Sequence, residues 1–206
     1  MRNKVVLLSC IISMFHISSA MAQGDPEAGA QKVQSCGICH GADGNSVNPM
    51  WPTLAGQHPQ YTAKQLKNFK EGSRTNPQMS PMAAALSDQD MLDIAAYYAA
   101  QSATQSQLPA GMEDSEVELG ETIYRAGNAS KNLASCMACH GPSGLGNSAA
   151  SYPGLAGQHA AYTAAQLQAF KSGSRANDAN SMMRDVAMKM TDEEIQAVSR
   201  YLQGLN

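Results

Sequence analysis

The chain is written twice. Tyr61 to Asn76 reads YTAKQLKNFKEGSRTN and Tyr162 to Asn177 reads YTAAQLQAFKSGSRAN, identical at 11 of 16 positions. Upstream, Leu54-Ala55-Gly56-Gln57-His58 recurs unchanged as Leu155-Ala156-Gly157-Gln158-His159. Further upstream, Ser35-Cys36-Gly37-Ile38-Cys39-His40-Gly41 is matched by Ser135-Cys136-Met137-Ala138-Cys139-His140-Gly141. A period of about 100 residues is too long for a stacked repeat, so a whole small domain is duplicated. Gln101 to Met112, rich in Ser, Gln, Gly and Pro, reads as the join. The expected organisation is a first domain over 23–100, a linker over 101–112 and a second domain over 113–206.

The residues before this pattern read as an export signal. Arg2 and Lys4 precede an apolar run from Val5 to Phe15, and Ala20-Met21-Ala22 is the small-x-small pattern that signal peptidase reads. Cleavage after Ala22 removes 1–22, and Cys10 and His16 leave with them. A lipoprotein reading at Cys10 fails because the apolar stretch continues past it. The mature chain then carries four cysteines, four histidines and a formal charge of −5. No apolar run reaches the ~18 residues that span a bilayer. With 14 basic against 17 acidic residues in the whole chain, there is no basic surplus to neutralise nucleic-acid phosphates.

The fold class is all-α. Ser87-Asp88-Gln89-Asp90 and Thr191-Asp192-Glu193-Glu194 are helix starts with an acid at the fourth place. Behind them Met91, Ile94, Tyr97 and Tyr98, and Ile195, Val198, Tyr201 and Leu202, fall at helical spacing. A middle helix in each half carries Tyr61, Leu66 and Phe69, or Tyr162, Leu167 and Phe170, and closes at Gly72 or Gly173. Alternating β-branched patterns are absent. Halves of this size with so few aromatics bury a thin core, which a large apolar cofactor would fill.

Both Cys-x-x-Cys-His segments match the attachment motif of a c-type haem. Two thiols one helical turn apart can add to the two vinyl groups of one porphyrin, and the next histidine presents an imidazole to the iron. Export agrees with this chemistry, since such attachment takes place outside the cytoplasm. Disulfides within each Cys-x-x-Cys leave the following histidines unexplained, and a thioredoxin-like redox pair needs a βαβ context that is missing. Zinc held by four cysteines places its pairs ~15–20 residues apart, not a domain apart.

A low-spin iron needs a sixth ligand, and a thioether favours the ferrous state. Most of the mature methionines, Met50, Met79, Met82, Met91, Met112, Met137, Met182, Met183, Met188 and Met190, serve as packing. Aligning Ser87 with Thr191, an offset of 104, leaves methionine in both halves only at Met79 and Met183. Met182 rivals Met183 after a one-residue slip, and Met82 rivals Met79. His58 and His159 also match between halves and would serve in a bis-histidine site. The alternative for these two is a helix-entry histidine bonded to a backbone carbonyl.

With these motifs the sequence resembles the dihaem cytochromes c of the cytochrome c4 family over essentially the whole mature chain. The likeness rests on the CxxCHG segments, the LAGQH loops, the YTAxQLxxFKxGSR stretches, the methionines ahead of LSDQD and MTDEE, and the tyrosines of the last helices. It implies two class I cytochrome c domains about a pseudo-twofold axis, with haem propionate edges facing the interface. The cofactors implied are two covalently bound haem c groups. Cys36 and Cys39 would hold one and Cys136 and Cys139 the other, with His40 and Met79, and His140 and Met183, as iron ligands. The two loops before the methionines differ in length, Thr75–Gln78 against Ala176–Ser181, so their geometry should not be transferred.

If both irons are six-coordinate no site is open to substrate, and the expected role is outer-sphere electron transfer rather than catalysis. The resemblance implies a periplasmic carrier, at most peripherally associated with the inner membrane. It would take electrons from an upstream quinol-oxidising complex or dehydrogenase and pass them to a terminal oxidase, commonly of the cbb type. The alternatives are a cytochrome subunit of a larger dehydrogenase, such as a sulfide-oxidising flavoprotein, and a dihaem peroxidase.

Overall fold

A computed structural model describes residues 24–205, so the expected leader over 1–22 lies outside the described residues. The first half contains α1 (Pro26–Ala30), α2 (Gln34–His40), α3 (Pro59–Glu71), α4 (Met79–Ala84) and α5 (Asp88–Ala99). The second contains α6 (Asp114–Arg125), α7 (Met137–His140), α8 (Ala160–Ser172), α9 (Met182–Ala187) and α10 (Asp192–Gly204). Short 3₁₀ turns over Ala129–Lys131 and Ala179–Ser181 precede α7 and α9. Apart from two isolated antiparallel bridges, Asn128 with Leu133 and Asn147 with Tyr152, the described regular structure is helical.

The helix ends follow from local chemistry. Ser87 accepts from the Asp90 N–H while the Asp90 carboxylate accepts from the Ser87 N–H, and Thr191 and Glu194 repeat this reciprocal box at α10. The middle helices α3 and α8 stop at Gly72 (φ 79°) and Gly173 (φ 76°), a left-handed conformation that costs glycine nothing. In the first half α5 packs against α1 and α3, and α3 against α4. In the second, α10 packs against α6 and α8, and α8 against α9.

Each half has its own apolar cluster. Val33, Leu66, Met91, Ile94 and Tyr98 form the first. The second gathers Ile123, Tyr124, Leu133, Ala164, Met190, Ile195, Val198, Tyr201 and Leu202. Segment 101–112 carries no helix, yet it is held to both halves. The Asn45 side chain donates to the Ser102 carbonyl and accepts from the Thr104 N–H, while Ser106 Oγ donates to the Gly157 carbonyl.

Terminal helices cross at glycine in both halves. A Cβ on Gly29 would run into the Asp93 carbonyl, and one on Gly120 would lie 2.5 Å from the Ala197 oxygen and 2.7 Å from Tyr201 Cβ. Asp93 reinforces the first crossing: its carboxylate accepts from the Asp25 N–H (2.9 Å), Gln89 Nε2 (2.7 Å) and Lys32 Nζ (2.6 Å). The Asp25 N–H, followed by Lys32 and Gln89, holds the Asp93 carboxyl below its ordinary pKa.

Two stability predictions follow from these crossings. Gly120→Ala should cost about 1–3 kcal/mol by overpacking, read as a lower Tm. Because Asp93 titrates lower in the folded state than in the unfolded chain, its contribution is complete above the unfolded pKa of about 4 and fades as pH falls through the folded value. The gap in unfolding free energy between the protein and Asp93→Asn should therefore be largest near neutrality and shrink in acid, as denaturant titrations across pH would show.

Candidate functional site

His40 and His140 are the last residues of α2 and α7, each followed by a glycine, and both are buried. His40 Nδ1 lies 2.9 Å from the Pro52 carbonyl oxygen, and His140 Nδ1 lies 2.9 Å from that of Pro153. A carbonyl can only accept, so Nδ1 carries the hydrogen in each ring and Nε2 presents a bare lone pair. Burial lowers both pKa values despite the opposing pull of the proline carbonyls, which keeps each ring in the neutral, metal-binding form. The thiols that precede them are free, with Cys36, Cys39 and Cys136 half-buried and Cys139 exposed. Burial raises the Cys36 thiol and pushes Cys136 up to about 11, so both stay protonated.

Met79 opens α4, is half-buried, and packs on the first apolar cluster, which Cys36 also touches. Its rival Met82 is 43% exposed. In the second half Met183 is half-buried and Met182 more exposed, but Met183 is not in the corresponding cluster, where Val186 and Met190 pack with Cys136. By helix starts, Met79 pairs with Met182. By the fully buried alanines Ala83 and Ala187, it pairs with Met183. Helix starts shift easily by a residue and a buried packing position does not, so the alanines set the register.

The two methionine loops differ in chemistry as well as length. Asn76 Oδ1 accepts from the N–H groups of Gln78 and Met79. In the second half Asp178 accepts from Arg184 N–H and Nε, and Asn180 and Ser181 sit at φ 54° and 58°. His58 and His159 occupy the N-cap positions of α3 and α8. His159 Nε2 donates to the Ser46 carbonyl in the other half at 2.8 Å, whereas His58 Nε2 is buried without a partner.

A polar interface between the halves was invisible in the sequence. Arg74 donates to Gln65 Oε1 in its own half and to Tyr162 Oη and Gln166 Oε1 across the interface, at 2.8, 3.1 and 2.8 Å. Arg175 mirrors it with Gln166, Tyr61 and Gln65, at 2.9, 3.0 and 3.1 Å. Arg74 lies over the Phe69 ring and Arg175 over Phe170, at 4.6 and 4.4 Å from the centroids. Burial raises the Tyr61 pKa, but the charges of Arg175 and Arg74 outweigh it and hold the phenol below its ordinary value. The repeated YTAxQL and GSR segments were the only sequence signal for this network, and they do not say what the residues touch.

These features fit a haem in each half. Each half offers a buried imidazole with Nε2 bare and two unbridged thiols on the adjoining turn. At the interface two buried guanidinium groups share only neutral acceptors, and no carboxylate among the described residues pairs with either. Buried cations call for anions, and a haem brings two propionates.

Residues 26–101 and 117–206 each match the family model described as Cytochrome c, which defines a protein of two c-type cytochrome domains. Cytochrome c4 of Thiocapsa roseopersicina is 49% identical over 193 residues, covering 93% of this chain and 98% of the relative. The crystal structure of reduced recombinant cytochrome c4 from Pseudomonas stutzeri superposes with a TM-score of 0.84 at 44% identity, covering 89% of this chain and all of that one. A thiosulfate dehydrogenase electron acceptor of Stutzerimonas stutzeri is 42% identical over 170 residues, covering 82% of this chain and 78% of the relative. The chain belongs to the cytochrome c4 family: it is an electron-transfer protein with two covalent haem c groups, not an enzyme, and its partners are redox proteins. The peroxidase alternative is thereby set aside. No helix among the described residues is long and apolar enough to cross a membrane.

Proposed function

We propose that the chain is a periplasmic electron carrier that delivers electrons one at a time to a respiratory terminal oxidase of the cbb type. Its donor is an upstream quinol-oxidising complex or a dehydrogenase. In this reading the first domain spans 23–100, the linker 101–112 and the second domain 113–206, with 1–22 removed on export. Cys36 and Cys39 would hold one haem through thioethers, with His40 and Met79 as its iron ligands. Cys136, Cys139, His140 and Met183 would do the same for the other. The haem supplies an iron that gains and loses one electron without forming a bond to the partner.

The observation that carries this reading is the pair of buried imidazoles with Nδ1 committed to a proline carbonyl, each one residue after a free thiol. The protein's part is to hold the ring and its ligands still, so that little rearranges between the two oxidation states. The half-buried Met79 and Met183 would in this reading supply the second ligand to each iron, and the apolar clusters would keep water away, which penalises the extra charge of the ferric state. In this reading His58 and His159 stay outside the ligand set: both stand at helix entries, and His159 Nε2 already donates to the Ser46 carbonyl.

A second reading is favoured by the thiosulfate dehydrogenase electron acceptor of Stutzerimonas stutzeri: this chain would accept electrons from a sulfur-compound dehydrogenase. Stopped-flow mixing of the reduced protein with a cbb-type oxidase, and of the oxidised protein with such a dehydrogenase, separates the two readings. Rapid oxidation in the first mixture supports the terminal-oxidase role, and rapid reduction only in the second overturns it.

The axial assignment has its own test. Met183→Ala should leave two haems attached, convert one to high spin and lower its potential, while Met182→Ala leaves the spectrum unchanged; the reverse pattern would transfer the role to Met182. Cys139→Ser should reduce the yield of protein carrying the second haem, measured by haem-to-protein stoichiometry.

A further inference from the structure

Each glutamine of the repeated LAGQH loops ends on the backbone of the other half. Gln158 Oε1 accepts from the Thr53 N–H at 3.0 Å, and Gln158 Nε2 donates to the Thr53 carbonyl at 2.9 Å. Gln57 makes the same two bonds to Gly154, at 2.9 and 3.0 Å. The Thr53 N–H shares its peptide group with the Pro52 carbonyl, which accepts His40 Nδ1–H. The Gly154 N–H likewise shares its peptide group with the Pro153 carbonyl, which accepts His140 Nδ1–H. A continuous line of hydrogen bonds therefore runs from Gln158 through one amide to His40, and from Gln57 through one amide to His140.

We propose that Gln57 and Gln158 are positioning residues that act crosswise, each setting the hydrogen bond on the proximal histidine of the other domain and, through it, the potential of the other domain's haem. The inference rests on His40 and His140 being the proximal ligands. Donation from a peptide N–H polarises the carbonyl of the same amide, and linked hydrogen bonds strengthen one another by ~10–30%. A stronger acceptor at Nδ1 makes the imidazole a more basic ligand, which favours Fe(III). Each glutamine is itself aimed by its own helix start, because Gln158 Oε1 also accepts from the His159 N–H at 3.1 Å and Gln57 Oε1 from the His58 N–H at 3.0 Å. The proximal loop of the first domain has a further tie. His159 Nε2 donates to the Ser46 carbonyl, and Ser46 Oγ donates to the carbonyl of Cys39.

The test uses the full haem-loaded protein and follows each haem separately during a redox titration, through its methyl NMR signals. The signals are assigned to a domain by the hyperfine-shifted ring protons of His40 and His140. With Gln158→Leu, at the potential where the wild-type His40 haem is half oxidised, the oxidised-to-reduced ratio of that haem should fall about 3-fold while the His140 haem keeps its ratio. Gln57→Leu should give the mirror result. Gln158→Asn, which keeps the amide but is one methylene short of Thr53, should move the His40 haem the same way as Gln158→Leu, and it carries the test if Gln158→Leu fails to assemble. A shift on the variant's own haem, equal shifts on both, or unchanged potentials with faster exchange of the Thr53 amide would overturn the proposal. Absence of hyperfine-shifted histidine protons in the wild type would instead strike the ligand assignment.

Discussion

The hydrogen bond from each buried histidine to a proline carbonyl is the constraint on which the rest of the structure depends. It removes a choice that imidazole otherwise has: with Nδ1 donating, only Nε2 can meet a metal. It also requires the chain to return from the haem-attachment helix to a fixed point 12 residues on in the first half and 13 in the second. The intervening loops must therefore be compact, and their small residues and turns follow from that closure. In the first of them the single Ser46 hydroxyl hydrogen is shared between the carbonyls of Asn48 and Cys39, and the latter contact ties the loop back to the end of α2.

The same closure places the following residues, Thr53 and Gly154, against the opposite half. The interface is built from reciprocal contacts, glutamine to backbone and arginine to tyrosine and glutamine, because both sides carry the same segments. Reciprocity doubles the consequence of each residue type. It also concentrates charge of one sign, since a duplicated arginine meets its own copy. Neutral acceptors and aromatic faces spread that charge without cancelling it, a setting that favours an anionic group beside the two arginines.

What was legible in the sequence was what is local. The Ser87 and Thr191 caps, the glycine stops at Gly72 and Gly173 and the Cys-x-x-Cys-His spacing each depend on residues within a turn of one another. The all-helical class and the two cytochrome domains follow from those signals together with the repeat. Gln57, Gln158, Arg74 and Arg175 could be seen only as repeated letters, because their partners across the interface lie 88 to 114 residues away. No periodicity or spacing encodes such a pairing. The methionine register lay between these extremes: the capped helices downstream set an offset, and the buried alanines of α4 and α9 supply the packing reason for it.

Duplication explains why the halves match and also why they are not equivalent. A gene copied in tandem starts with identical faces, yet each face meets a partner whose loops have since changed. His159 finds the Ser46 carbonyl opposite it, whereas His58 Nε2 is buried with no partner among the described residues. Asn177 reaches across to Gln65 and Asn68, but Asn76 is turned inward to hold the backbone ahead of Met79. The shorter methionine loop thus keeps its asparagine for itself, while the longer one replaces it with Asp178 and frees Asn177 for the interface. Loop length, a property of one half, decides which residue is available to the other, and two copies of one fold come to hold their haems in different surroundings.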